Sequence, residues 1–268
     1  IYRRGLTTTS GGNISIRDDN GDIWVTPAGI DKGSLQPSDI LCVHPDGSVS
    51  GPHKPSSELP FHQAIYLARP DLKAIIHAHP PALVSFSIVG LTPDTTVIPQ
   101  AREVCGPIGF APYELPGSKV LGSRIAEQFS QSFNAVILEN HGTVVGGTDL
   151  MEAFERFETF EFVARILINA RRIGEPNYLS EEQIHSFEAQ YSNLLPEMDQ
   201  VEHPSDEREL RSEICRIVRR ACDQGLMIST YGTVSTRWRG ENFLITPRNF
   251  SRWDIQPSDL VQVLNGQC

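Results

Sequence analysis

Two histidines two residues apart, His77-Ala78-His79, close an apolar run from Leu72 to Ile76 and are followed by Pro80-Pro81. The run reads as a buried β-strand, and side chains two apart on a strand share a face. The two imidazoles therefore project together and can grip one metal ion, with the prolines ending the strand where a site would open. Two polar side chains on a wet strand face would give the same pattern, so the chemistry depends on what else converges there. A third histidine, His141, follows another buried run, Asn134 to Leu138, and precedes Gly142. Its place is again a strand terminus, where sheet side chains meet a cleft.

Hydroxyls and glycines precede the first strand, in which Gly5-Leu6-Thr7-Thr8-Thr9-Ser10-Gly11-Gly12-Asn13 leads into Ile14-Ser15-Ile16-Arg17. Glycines let backbone N–H groups come close to an anion, and Ser10 and Asn13 can donate to its oxygens. Thr26-Pro27-Ala28-Gly29 forms a second hydroxyl and glycine turn. Pro55-Ser56-Ser57-Glu58 starts a helix with Ser57 as the expected N-cap and Glu58 in the first turn. Unpaired N–H groups and the helix dipole there favour a phosphate. Each stretch also has a plainer reading, as an ordinary turn or a dipole-matched cap.

The elements that must hold these residues alternate between strand and helix. Asp18-Asp19-Asn20-Gly21 is a hairpin turn returning as Ile23-Trp24-Val25, so the start is antiparallel. A strand over 40–43 is turned back by Pro45-Asp46-Gly47. Phe61, Ala64, Ile65 and Ala68 mark the buried face of the helix that Arg69-Pro70 ends. A short helix is expected over 81–89, a weak strand over 97–100, and a loop over 106–117 that holds Tyr113. Ser118 caps a helix carrying Leu121, Ile125 and Phe129, and residues 149–173 form a long helix buried along Leu150, Ala153, Phe154, Phe157, Phe160, Ala164 and Leu167. A further helix starts at Ser180, and a polar linker runs from Leu195 to Ser205.

The chain of 268 residues can bury more than one domain core. Its 33 Asp and Glu against 23 Lys and Arg leave no basic stripe for displacing counterions from nucleic acid. Neither a bilayer-length apolar run nor a signal peptide is expected, which points to a cytoplasmic protein. The five cysteines form no Cys-x-x-Cys pair and are expected reduced and mostly in the core.

A shift of 220 aligns the end of the chain with its start without a gap. Gly5-Leu6 matches Gly225-Leu226, Gly12 matches Gly232, Thr26-Pro27 matches Thr246-Pro247, and Gln36-Pro37-Ser38-Asp39 recurs as Gln256-Pro257-Ser258-Asp259. A helix over 206–221, with Leu210, Ile214, Ile217 and Val218 as its stripe, precedes the second copy. That copy replaces Asn13 by Thr233, Gly11 by Tyr231 and Ala28-Gly29 by Arg248-Asn249, and ends before any counterpart of Glu58 or the histidines. The organisation expected is a catalytic domain over 1–195, a linker over 196–206, and a truncated, degenerate repeat over 207–268. Either the natural chain continues further, or the repeat is a structural or interface element.

Ser10-Gly11-Gly12-Asn13, Thr26-Pro27-Ala28-Gly29, Pro55-Ser56-Ser57-Glu58, His77-Ala78-His79 and Asn140-His141-Gly142, in this order and spacing, resemble one family. The chain is similar to the class II aldolase and adducin head-domain family, most of all the fuculose-1-phosphate aldolase type, over residues 1 to about 195 and more faintly over 207–263. The resemblance implies an α/β fold, a three-layer α/β/α sandwich around a largely antiparallel central sheet. It implies Zn2+, or another divalent transition metal, on His77, His79 and His141, with Glu58 as acid/base that can also approach the metal. Gly12, Asn13, Gly29, Ser56 and Ser57 would hold the substrate phosphate. Ala28 belongs to the same set but lacks the hydroxyl that the family often carries there. Tyr113 matches a tyrosine that reaches a neighbouring subunit's site as proton donor, so a homo-oligomer, tetramer-like, is implied.

The implied function is a zinc-dependent lyase that cleaves or forms a C–C bond in a phosphorylated ketose. A divalent metal there stabilises enediolate charge as a Lewis acid. Decarboxylase, epimerase or dehydratase chemistry on a related sugar acid or sugar phosphate shares the same histidines. A metal-free, adducin-like interaction module is the third alternative; the presence of all three histidines and Glu58 weighs against it.

Overall fold

The computed structural model describes residues 1–190 and 204–264 and divides into two compact units, Ile1–Ile184 and His185–Cys268. In the first unit, eight strands form one sheet: β1 (Asn13–Arg17), β2 (Ile23–Val25), β3 (Leu41–Val43), β4 (Val49–Ser50), β5 (Ala74–Ala78), β6 (Gly109–Ala111), β7 (Ala135–Leu138) and β8 (Gly142–Gly147). Their spatial order is β4-β3-β2-β1-β5-β8-β7-β6. Every pairing is antiparallel except that of β6 with β7.

Helices cover both faces: α1 (Leu59–Ala68), α2 (Pro81–Ile88), α3 (Pro99–Cys105), α4 (Lys119–Ser130) and α5 (Leu150–Ile173), followed by α6 (Glu181–Gln190). Alternation along β5 shows why two layers form. Ala74, Ile76 and Ala78 pack with Leu83, Phe86, Phe157 and Phe160 of α2 and α5. Ile75, between them, packs with Phe61, Ile65, Ile125 and Phe129 of α1 and α4. His77 has the parity of Ile75, and the edge of its ring meets Phe61 of α1.

Four expectations need correction here. The segment after Asp94 is a 3-10 turn, Thr95–Val97, and then α3, not a strand. Asp94 accepts the Thr96 N–H, and Pro99 sits in the first turn of a helix, where its missing N–H costs nothing. The loop over 106–117 contains β6, hidden by its glycine. Gly109 lies against Phe133, which a Cβ there would approach to 3.1 Å. The N-cap of α1 is Glu58, not Ser57, because Ser56 Oγ accepts the Glu58 N–H at 3.2 Å and the helix starts one residue later. On α5, Leu150 is surface-exposed and the buried stripe begins at Ala153.

The second unit contains α7 (Ser205–Asp223) and three antiparallel strands, β9 (Ser235–Arg237), β10 (Phe243–Ile245) and β11 (Val261–Val263), in the order β11-β10-β9. Helix α7 starts at Ser205, inside the expected linker; residues 196–203 of that linker lie outside the described residues. Its buried stripe is Ile214, Cys215, Val218 and Cys222, whereas Ile217 is exposed, since 217 falls off the face that repeats at 214, 218 and 222. Ser15 pairs with Val25 in the first unit and Ser235 with Ile245 in the second, the same register displaced by 220. Thr26 Oγ1 accepts from Ile14 N–H, and Thr246 Oγ1 accepts from Val234 N–H, in the same places. Both Gln-Pro-Ser-Asp stretches form a capping box. Gly29 has φ 69° and Asn249, its counterpart, φ 50°. Cys42, Cys105, Cys215 and Cys222 are buried and form no disulfide among the described residues; Cys268 lies outside them.

Candidate active site

Three neighbouring strands bring the histidines together. Asn13 of β1 lies directly across from His77 of β5, and His77 lies across from Val144 of β8. This places Asn13 and His77 side by side on one face. His79 follows two residues later, past the end of β5. His141 lies in the tight connection between β7 and β8, where Asn140 takes a left-handed φ of 53° and His141 N–H returns to Leu138 O at 3.1 Å. The ring centroids are 4.8 Å apart for His77 and His79, 4.8 Å for His77 and His141, and 5.1 Å for His79 and His141.

Two glycines leave room for this cluster. A Cβ on Gly11 would lie 2.8 Å from His79 Nδ1, and one on Gly142 would lie 2.7 Å from His79 Cδ2, so the ring sits between two bare backbones. Gly12, with φ 70°, passes so close to β5 that a Cβ would meet His77 O at 2.6 Å.

Glu58 closes the group from the start of α1. Its Oε2 lies 3.2 Å from His77 Nε2 and its Oε1 lies 3.3 Å from His141 Nε2. Asn13 Nδ2 donates to Glu58 Oε2 at 2.8 Å and to Ser56 Oγ at 3.0 Å. Burial pushes the Glu58 carboxyl up, but the hydrogen bond to His77, the charges of His77 and His141 and the Asn13 bond outweigh it and bring it to about 2. His79 and His141 are pushed down to about 4, first by burial and then by the neighbouring imidazole charge, against the smaller pull of Glu58. Both are therefore neutral near pH 7, the form that ligates metal.

These residues fit a metal ion. His77 Nδ1 lies 2.9 Å from Thr143 O, a carbonyl that can only accept, so Nδ1 carries a proton and Nε2 is left to ligate. His77 Nε2 and His79 Nε2 face each other at 3.1 Å, and Glu58 Oε1 is buried without a hydrogen-bond donor. A cation in their midst would satisfy these atoms together. Asp22, Cys42 and His44 form another close group of possible ligands, but His44 already bonds Asp22 Oδ1 and Ser50 Oγ, each at 2.9 Å, and no atom there is orphaned.

Of the other expected site residues, Gly12, Asn13 and Ser56 are tied to this group by the contacts above. An isolated antiparallel bridge pairs Pro27 with Pro55 and so sets Ala28 opposite Lys54. Ala28 N–H is taken by Lys54 O at 3.0 Å, while Gly29 and Ser57 are exposed. Both amide hydrogens of Asn13 go to Ser56 and Glu58. Tyr113 is not drawn into the histidine group: the residue is 54% exposed, and its N–H donates to Glu139 Oε2 at 2.8 Å. Residues that sequence reasoning missed are Thr143, which orients His77, and His62, which meets Asn13 from α1. The spacing of His62, four after Glu58 and so on the same helix face, was the available signal.

The model of the Class II Aldolase and Adducin N-terminal domain matches residues 1–168 and 212–267. The chain belongs to the class II aldolase and adducin family. It is 34% identical over 185 residues to a 5-deoxy-D-ribulose 1-phosphate aldolase from Bacillus thuringiensis serovar kurstaki, covering 68% of this chain and 85% of the relative. It is 33% identical over 196 residues to a 3-oxo-tetronate 4-phosphate decarboxylase from Haemophilus influenzae, covering 70% and 90%. A solved L-fuculose 1-phosphate aldolase matches with a TM-score of 0.64 and 31% identity, over 71% of this chain and 90% of its own. The mixed α/β fold with its eight-stranded sheet is thus that of the class II aldolases, and the chain is an enzyme of the aldolase-type lyase class. Among the described residues, no helix is long and apolar enough to cross a membrane.

Proposed function

We propose that the first unit is a zinc-dependent lyase that cleaves or forms a C–C bond in a phosphorylated ketose. The observation that carries this reading is the close group of His77, His79 and His141, with Glu58 against the Nε2 atoms of His77 and His141 and tied through Asn13 to Ser56. His77, His79 and His141 would hold a divalent ion, which when bound would supply Lewis-acid stabilisation of enediolate charge. In bond formation Glu58, ionised and held by Asn13, takes the proton from the carbon that enters the enediolate while a second group protonates the aldehyde oxygen, and in cleavage both protons move back. The dipole of α1 favours the phosphate at Ser56 and Ser57, with Gly12, Gly29 and the Ala28 turn closing over it. In the present arrangement the amide of Asn13 is committed to Glu58 and Ser56, so Asn13 serves the phosphate only by exchanging one of these bonds.

Tyr113, exposed and tethered through Glu139, acts in this reading on a neighbouring subunit's site in a homo-oligomer, as proton donor to the aldehyde fragment. Residues 207–268 are a partial second copy of the domain, a reading supported by the displaced register and the repeated threonine and capping-box bonds. Decarboxylation is the second reading, favoured by the Haemophilus influenzae relative.

One experiment tests these readings. Metal content is measured on the purified full chain, which is then supplied with 5-deoxy-D-ribulose 1-phosphate, L-fuculose 1-phosphate and 3-oxo-tetronate 4-phosphate. Aldehyde release from a ketose phosphate with about one zinc per chain is the expected result. Carbon dioxide release from the tetronate alone would replace the aldolase reading by the decarboxylase one. A metal-free protein inert on all three, even after zinc is added, would overturn both.

A further inference from the structure

A hydrogen-bonded chain runs from the candidate site into the layer beneath it. Tyr66 OH lies 2.8 Å from Ser15 Oγ, Ser15 Oγ lies 2.7 Å from His62 Nδ1, and His62 Nε2 meets Asn13 Oδ1. Asn13, Ser15, His62 and Tyr66 are all buried, His62 completely. The direction of the bonds to Asn13 and His62 Nε2 follows from one end, and the complete burial of His62, which disfavours a charged ring, sets the rest over the longer alternative of Tyr66 OH donating to Lys73 O at 3.5 Å. Glu58, as an ionised carboxylate, can only accept, so Asn13 must turn its NH2 towards Glu58 and Ser56 and its carbonyl oxygen towards His62. His62 Nε2 must then carry a proton, and in the neutral ring Nδ1 is bare. Ser15 donates to that nitrogen, and its oxygen accepts from Tyr66.

We propose that His62 is a positioning residue that, as the neutral Nε2–H tautomer, locks the Asn13 amide with its NH2 on Glu58 and so aims that carboxylate at the histidine group. The proposal rests on the reading of Glu58 as the catalytic carboxylate. With His62 as a donor, an inverted Asn13 amide would set N–H against N–H at one end and carbonyl against carboxylate at the other. The lock therefore excludes the orientation that would push Glu58 away. Helix α1 supplies both ends of the clamp, since Glu58 and His62 are four residues apart on it, while β1 supplies the middle through Asn13 and Ser15. The clamp thereby couples the start of α1 to the register of the sheet.

Ring 15N chemical shifts of His62 in the metal-free full chain at pH 7.5 test the tautomer directly. A protonated Nε2 and a bare Nδ1 are expected; a protonated Nδ1 would overturn the proposal whether or not any variant folds. For the positioning role, His62→Leu and His62→Gln are compared in zinc-loaded full chain on 5-deoxy-D-ribulose 1-phosphate and 3-oxo-tetronate 4-phosphate. Leu removes the donor, and kcat is expected to fall on the order of tenfold to a hundredfold while KM and zinc content stay within about threefold. Gln can still donate to Asn13 Oδ1 and is expected to recover most of that loss. Unchanged kcat in a folded His62→Leu, or equal losses in Leu and Gln, would overturn the role. If His62→Leu fails to fold, the Gln variant and the tautomer decide, and a Gln variant as inactive as Glu58→Gln counts against it. Normal turnover in Glu58→Gln would instead remove the underlying reading and leave the tautomer result standing.

Discussion

Glu58 keeps a negative charge in surroundings that exclude most water, and the bonds that keep it charged point at the residues that matter. Replacing it by Gln leaves the three imidazoles in place but removes the proton carrier. Glu58→Gln is therefore expected to retain its metal and lose turnover on the order of a hundredfold or more. Metal analysis beside a turnover assay checks this, and cleavage at the original rate would take Glu58 out of the mechanism. On the proposed assignment His77→Ala should lose the metal itself, because His77 is the fully buried member of the group and its other nitrogen is fixed by Thr143 O. A stoichiometric zinc content in that variant would contradict the assignment. At this scale much was legible in the sequence. The parity of His77 and His79 and the strand-end place of His141 followed from residue type and spacing, whereas the role of Glu58 came from the family resemblance. His62 and Ser15 stayed hidden because their partnership joins a helix to a strand 47 positions away, and no local pattern encodes that register.

Strand β5 is the element on which the site hangs, since it pairs with β1 on one side and β8 on the other and so sets Asn13 and Thr143 around the same histidine. The apolar run and alternating face made β5 readable. Strands β6 and β8 were less so, because Gly109, Gly142, Gly146 and Gly147 suggest turns although all four are buried in the sheet. Their small size is what the packing requires: at Gly146 a Cβ would come within 2.7 Å of Leu72 and 3.1 Å of Phe129. The same logic yields a prediction at Gly11. In Gly11→Ala the new methyl meets the His79 ring on one side and the Thr8 hydroxyl on the other. Zinc affinity should fall about tenfold or more while the sheet survives, as read by competition with a chromogenic chelator and by the melting temperature. An unchanged affinity would show that the loop yields and that Gly11 is not needed for clearance.

For the whole molecule, burial of neutral histidines makes stability depend on pH. His62 is pushed down to about 3, by burial first and by the charge of His77 next, against the opposing pull of Glu58. Its unfolded value lies near 6.5, so between these limits the unfolded chain binds more protons and unfolding becomes easier as pH falls. The stability is fully present above about pH 6.5 and declines by about 1.4 kcal/mol per pH unit below it from this residue alone. Urea unfolding of the metal-free chain at pH 7.5, 6.0 and 5.0 should show the decline, and His62→Gln should show a shallower one. Equal slopes would mean that His62 already carries its proton in the folded state. The acidic excess and the repeat at a shift of 220 were both visible from composition and self-comparison. The burial of Cys215 and Cys222 was expected as well, whereas the boundary of α7 and the exposure of Ile217 needed the packing of a second core.

Asn249 occupies the left-handed turn that Gly29 holds in the first unit, and it does so with nearly the same main-chain angle. Asparagine is among the few side chains that tolerate that conformation. The shape of the turn is thus separable from the chemistry carried on it. Writing Ala-Gly back over Arg248-Asn249 would ask nothing new of the main chain, so the second unit keeps the mould of the turn while carrying different residues on it.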